Sequence, residues 1–203
     1  MRYLSPALVL MGALMLQAPA AHATPMTFVG NLSGANEVPP VNSPGTGLAT
    51  VILDPTAQTL QVNATFSGLT SNDVAAHIHC CLASPFLPGV NVGVATTVPA
   101  FLGFPLGVTS GNYSSAVFDL TTAAIYNPAF VTLEGGTIAG AEAALIAGIE
   151  NGETYFNIHT TNFPGGEIRG FLVAAPEPAS LAILGSALFG FGLMRRRNRT
   201  PRS

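Results

Sequence analysis

Hydrophobic and polar residues alternate in short bursts along most of this chain, with turn residues between them. The clearest burst runs from Thr59 to Phe66: Leu60, Val62, Ala64 and Phe66 share one face, Gln61, Asn63 and Thr65 the other. A period of two marks a strand with one face in a core. Gly47 to Leu53 reads as its antiparallel partner across the turn Asp54-Pro55-Thr56-Ala57-Gln58. Further strands are predicted at Thr27 to Leu32, Val74 to Cys81, Val90 to Val98 and Tyr113 to Leu120. Loops fall at Ser84 to Gly89 and Pro99 to Gly107, and Pro39-Pro40 holds the Ser33 to Val41 stretch extended. Ala139 to Ile149 breaks the rhythm: its Ala, Glu, Leu and Ile favour a helix, stopped by Asn151-Gly152. The last burst is a hairpin, Tyr155 to Leu172, turning at Pro164-Gly165-Gly166. One face carries Phe156, Ile158, Ile168 and Leu172; the other carries Tyr155, Asn157, His159, Glu167 and Arg169. Such a hairpin is expected at a half-buried sheet edge, offering its polar row to solvent. Seven or more short strands and one short helix predict an all-β domain, an antiparallel β-sandwich or barrel-like sheet.

Both ends depart from this alternation. Arg2, the apolar run Leu4 to Leu16 and then Ala21-His22-Ala23 have the order of a secretory signal peptide, cleaved after Ala23. At the other end, Pro176-Glu177-Pro178 precedes an apolar stretch from Ala179 to Met194, closed by Arg195-Arg196-Arg197-Asn198-Arg199. A helix of that length covers about 24 Å, slightly short of a hydrocarbon core of about 30 Å. Flanking arginines would let it anchor transiently in the inner membrane, with that end in the cytoplasm. The expected organisation is therefore a signal peptide over 1–23, a β domain over 24–175 and a C-terminal hydrophobic helix within 176–203.

Setting the ends aside changes the charge. Residues 24–175 hold nine acids against a single base, Arg169, for about −8, although the whole chain stands at −3. A domain so acidic lacks the basic footprint that a phosphate backbone requires, which excludes nucleic acid as a partner. Arg169 is expected to pair with Glu167 or Glu37, with a carboxylate- or sugar-binding role as the alternative. Cys80 and Cys81 are adjacent in a chain bound for an oxidising compartment. They could form a vicinal disulfide, remain thiols, bind metal, or serve as small residues at a strand end.

His77-Ile78-His79 puts two imidazoles on one strand face, and Asn157-Ile158-His159 puts a third on the polar face of the hairpin. Two histidines from one strand and a third from elsewhere form a ligand set for Zn²⁺ or Cu²⁺. Glu167 could complete the set or hold an imidazole tautomer. The competing reading has these histidines hydrogen bonding within a polar sheet face or lining an interface. No motif demands a cofactor, and no nucleophile elbow, phosphate loop or H-E-x-x-H is present. Distance separates the two readings: His159 more than about 10 Å from His77 would rule out a shared ion.

Two resemblances add to this. Pro176-Glu177-Pro178-Ala179-Ser180, a short apolar helix and the cluster at Arg195, Arg196 and Arg197 closely resemble the PEP-CTERM sorting signal. That resemblance implies a Gram-negative source, an exosortase-type sorting enzyme as partner, and a cell-surface or extracellular destination. Leu32 to Val41, Ala76 to His79, Gly152 to Thr160 and Pro164 to Gly170 resemble the blocks of the CHRD domain, in order and spacing, over about residues 26 to 173. Cys80-Cys81 departs from the glycine or small polar residues usual there. The CHRD resemblance implies an extracellular module with a binding or matrix role rather than a reaction; the polar face of the hairpin, with Asn157, Glu167 and Arg169, is expected to be where it binds a surface or matrix protein or polysaccharide. A fainter similarity to copper/zinc superoxide dismutases accompanies the alternative of a metal-binding, redox-active protein. The bridging histidine and metal-binding aspartate of those enzymes are not evident here.

Overall fold

The computed structural model describes residues 24–82 and 89–176. The expected signal peptide, the Ser84 to Gly89 loop apart from Gly89, and the sorting segment beyond Pro176 lie outside the described residues. Nine strands lie among the described residues: β1 (Met26–Ser33), β2 (Thr46–Asp54), β3 (Thr59–Ser67), β4 (Asp73–His79), β5 (Gly111–Ser114), β6 (Phe118–Asp119), β7 (Tyr155–Thr160), β8 (Ile168–Phe171) and β9 (Val173–Ala174). They form one curled antiparallel sheet in the order β4-β7-β8-β1-β2-β3-β5, with β6 also on β3 and β9 on β1. The all-β, barrel-like expectation therefore holds.

The β2–β3 hairpin follows the predicted register, from Thr46 opposite Ser67 to Asp54 opposite Thr59. Its turn is closed by Asp54 Oδ1, which accepts from the amides of Thr56 and Ala57, an arrangement that favours Asp at the first turn position. Ala49, Val51, Leu53, Leu60, Val62 and Ala64 face inward and join Ala76, Ile78, Phe156, Ile158 and Ile168 in a single core. The expected helix is α2 (Ile138–Glu150), begun by Thr137, whose hydroxyl accepts from Gly140 N. A second helix, α1 (Pro128–Leu133), precedes it, capped by Asn127 with proline at its start. Six residues are too few to reveal a helical period in the sequence.

Two predicted strands are interrupted, both because a hydroxyl takes a backbone partner. Tyr113 to Leu120 splits into β5 and β6, since Ser115 Oγ accepts from Val62 N and diverts the ladder. Val90 to Val98 runs as a covering segment with isolated bridges, His79 to Val94 and Thr96 to Tyr126. There, Thr96 Oγ1 accepts from Ile78 N at 2.9 Å.

The largest departure concerns the closing hairpin. It is not an edge: β7 lies between β4 and β8, and β8 joins it to β1. All six residues of β7 are buried. The polar row that was expected to meet solvent is roofed by other parts of the chain.

Candidate metal centre

Register across β4, β7 and β8 builds this interior site. His77 stands opposite Asn157, which stands opposite Arg169; two residues along β4, His79 stands opposite Tyr155, which stands opposite Phe171. His159 stands opposite Ala75, diagonal to His77. Diagonal neighbours on one sheet face lie within reach of ring side chains. The ring centroids are 4.6 Å apart for His77 and His159, 4.9 Å for His77 and His79, and 5.7 Å for His79 and His159. One ring nitrogen from each lies within 4.8 Å of the others. Nitrogens on a tetrahedral ion with bonds of about 2.0–2.1 Å stand about 3.3–3.4 Å apart, so small ring rotations bring three of them onto one ion. The 10 Å limit is met with room to spare.

Hydrogen bonds orient two of the rings. His79 Nδ1 lies 2.7 Å from the Val92 carbonyl oxygen, and His159 Nδ1 lies 2.9 Å from that of Pro164. A carbonyl is an acceptor, so each Nδ1 carries the proton and each Nε2 keeps a lone pair. Those two Nε2 atoms, together with His77 Nδ1, are buried and have no hydrogen-bond partner. Buried polar nitrogens normally find partners, and three unpartnered lone pairs beside one another are a donor set that a cation would satisfy.

Burial holds all three rings neutral. It lowers His77 to about 2, with the other two imidazoles adding repulsion. It lowers His79 to about 4, partly offset by the Val92 carbonyl. It lowers His159 against the pull of Pro164. A metal needs neutral imidazole, so no proton has to leave at pH 7.

Tyr155 backs the cluster, its ring stacked on His79 at 4.6 Å, and Arg169 caps the far face of the stack, its guanidinium carbon 4.6 Å from the Tyr155 centroid. Arg169 also donates to the Asn36 carbonyl and to Asn91 Oδ1, and lies 3.9 Å from the Glu37 carboxylate. Of its two expected acidic partners, Glu37 is the one met. Burial pushes the Glu37 carboxyl from its usual 4.5 up to about 7, while Arg169 and then Asn157 moderate the rise.

Glu167 stands apart from the histidines. Its carboxylate accepts from Ser43 Oγ, Thr70 N, Thr70 Oγ1 and Thr160 Oγ1 at 2.6–3.0 Å. Burial alone would raise its pKa, but those four donors together hold it below the usual range. Saturated in this way, it neither completes the metal set nor reaches an imidazole. The binding face expected at Asn157, Glu167 and Arg169 also requires correction: they are 1, 0 and 0 % exposed, because the Asn36–Glu37 turn and the 91–94 segment cover this side of the sheet.

Cys80 and Cys81 are joined as a vicinal disulfide at the end of β4. It rests on α2, where a Cβ added at Gly148 would lie 2.5 Å from Cys80 Sγ and 2.9 Å from Cys81 Sγ. The roles of Val92, Pro164 and Asn91 had no signature in the sequence, since two act through backbone carbonyls. Glu37 did have one, the Asn36-Glu37-Val38-Pro39-Pro40 block.

Comparison with protein families agrees with these blocks. The CHRD domain model matches residues 28–172, and the PEP-CTERM protein-sorting motif matches residues 174–197. No curated protein and no solved structure matches the chain. Among the described residues, no helix is long and apolar enough to cross a membrane.

Proposed function

The chain belongs to the CHRD family, and from that premise we propose that it is an exported, non-enzymatic module that holds Cu²⁺ or Zn²⁺ between His77, His79 and His159. Its PEP-CTERM motif points to export, anchoring through the C-terminal region and processing by an exosortase. The observation that carries the metal reading is the trio of buried, unpartnered imidazole nitrogens. Hydrogen bonding within a polar face, the rival explanation, would leave few such atoms. An all-nitrogen set favours Cu²⁺ over Zn²⁺ on intrinsic affinity. Exposures of 5, 7 and 8 % at the three histidines leave little room for a substrate beside the ion, which favours holding metal over turning over a ligand.

The exported protein, stripped with a chelator and dialysed against Cu²⁺ or Zn²⁺, is expected to retain about one equivalent by elemental analysis. His77→Ala is expected to retain less than about a tenth of that. A wild-type protein holding less than about a tenth of an equivalent of either metal would refute the reading.

A further inference from the structure

All three donors of the histidine site are neutral, and among the described residues no carboxylate or thiolate joins them within ligating distance. The Glu167 carboxylate is taken up by Ser43, Thr70 and Thr160. Glu37 lies against the Arg169 guanidinium. The Tyr155 hydroxyl is engaged with the Val92 main chain, 3.2 Å from its nitrogen and 3.3 Å from its oxygen. Cys80 and Cys81 are joined to each other and rest on α2. An ion between the imidazoles would therefore meet three nitrogens and no anion. The surroundings resist positive charge as well: at His79, burial disfavours it first, and the His159 ring and the Arg169 guanidinium disfavour it further.

Resting on the metal reading, we propose that His77, His79 and His159 select copper in its monovalent state, holding Cu⁺ more tightly than Cu²⁺. The cost of burying an ion grows with the square of its charge, so Cu²⁺ is penalised about four times as heavily as Cu⁺ where no anion offsets it. Coordination points the same way. Cu²⁺ takes tetragonal sets of nitrogens and oxygens. With every neighbouring side chain engaged, its fourth ligand would have to be water, in a site whose three rings are all buried. Cu⁺ has a filled d shell, which imposes no geometric preference of its own, and three imidazoles satisfy it. Passing between the two states adds or removes one electron at the ion and moves no proton, because the imidazoles are neutral in both.

The test is anaerobic competition on the exported protein, Cu⁺ against bicinchoninate and Cu²⁺ against nitrilotriacetate, followed by reduction of the Cu²⁺ form with ascorbate as the one-electron donor. Cu⁺ is expected to bind at least about a hundredfold more tightly than Cu²⁺, which sets the bound couple about 120 mV above aqueous copper. Ascorbate should abolish the paramagnetic signal while elemental analysis still finds about one equivalent of copper on the protein. Ala75→Asp sets a carboxylate on the partly exposed part of β4, opposite His159. It is expected to strengthen Cu²⁺ binding and lower the Cu⁺ to Cu²⁺ preference at least about tenfold. The proposal is overturned, and the metal reading left standing, if Cu²⁺ is held as tightly as Cu⁺, if copper leaves on reduction, or if Ala75→Asp keeps the preference unchanged. A protein that holds neither ion would overturn both.

Discussion

Two halves of one sheet use their interiors differently. In β1, β2 and β3, buried and partly exposed residues alternate along each strand, and the inward set is Phe28, Leu32, Val51, Leu53, Leu60 and Val62. In β7 both faces are buried, and the second face carries Tyr155, Asn157 and His159. The apolar faces of both halves share one core, so stability requires only one layer. The chain nevertheless roofs the polar layer, and there it leaves unpartnered Glu37 Oε1, Asn157 Oδ1 and three imidazole nitrogens. Burying polar atoms without partners costs about 1–3 kcal/mol each. An expense confined to one half of the sheet marks that half as the functional one.

The sharpest way to break this contrast is to unpair the polar half. Arg169→Ala leaves Glu37 without its cation and removes the cap on Tyr155, and is expected to cost about 3–5 kcal/mol in denaturant unfolding. A loss below about 1 kcal/mol would show that the polar layer is not an energetic unit. In the apolar half, Leu60→Ala is expected to cost about 2–5 kcal/mol through the cavity it leaves. Metal separates the halves further. Cu²⁺ at about a hundred times its Kd is expected to raise unfolding free energy by about 2.7 kcal/mol. Leu60→Ala should keep that increment in the same denaturation assay, and His77→Ala should lose it.

Protons probe the same layer at smaller amplitude. His77 and His79 are depressed to about 2 and about 4 in the folded state, against the 6.5 they regain on unfolding. The unfolded chain therefore binds more protons below 6.5, and the metal-free protein should lose stability as pH falls through that value toward about 4. Glu37 acts in the opposite sense, since its folded value of about 7 exceeds 4.5, so its contribution is lost as pH rises between them. Urea midpoints measured across this window should fall on acidification, and fall more steeply in Glu37→Gln. At the smallest end, Thr65→Ala on the exposed face of β3 should shift stability by no more than about 0.5 kcal/mol.

Sequence patterning revealed these halves unequally. Strict alternation exposed the β2–β3 hairpin and its register, because one face there meets core and the other meets water. In the closing hairpin the alternation was equally clear, but solvent was the wrong inference for its polar side. Whether a loop covers a strand face depends on contacts such as Arg169 to Asn36, 133 positions apart, which leave no local period. The two histidines on β4 could be placed on one face from their spacing alone. Their meeting with His159 required the pairing of β4 with β7, and the tautomers required two backbone carbonyls that no side chain announces. Ser115 and Thr96 interrupt the predicted strands through hydroxyls whose partners lie 53 and 18 positions away in sequence.

Electron paramagnetic resonance of the exported protein with one equivalent of Cu²⁺ tests the central claim most directly. The account predicts a single type of copper centre with superhyperfine coupling to three imidazole nitrogens, reduced to two in His159→Ala. A spectrum of aqueous copper, or one unchanged when His77, His79 and His159 are all replaced by alanine, would contradict it.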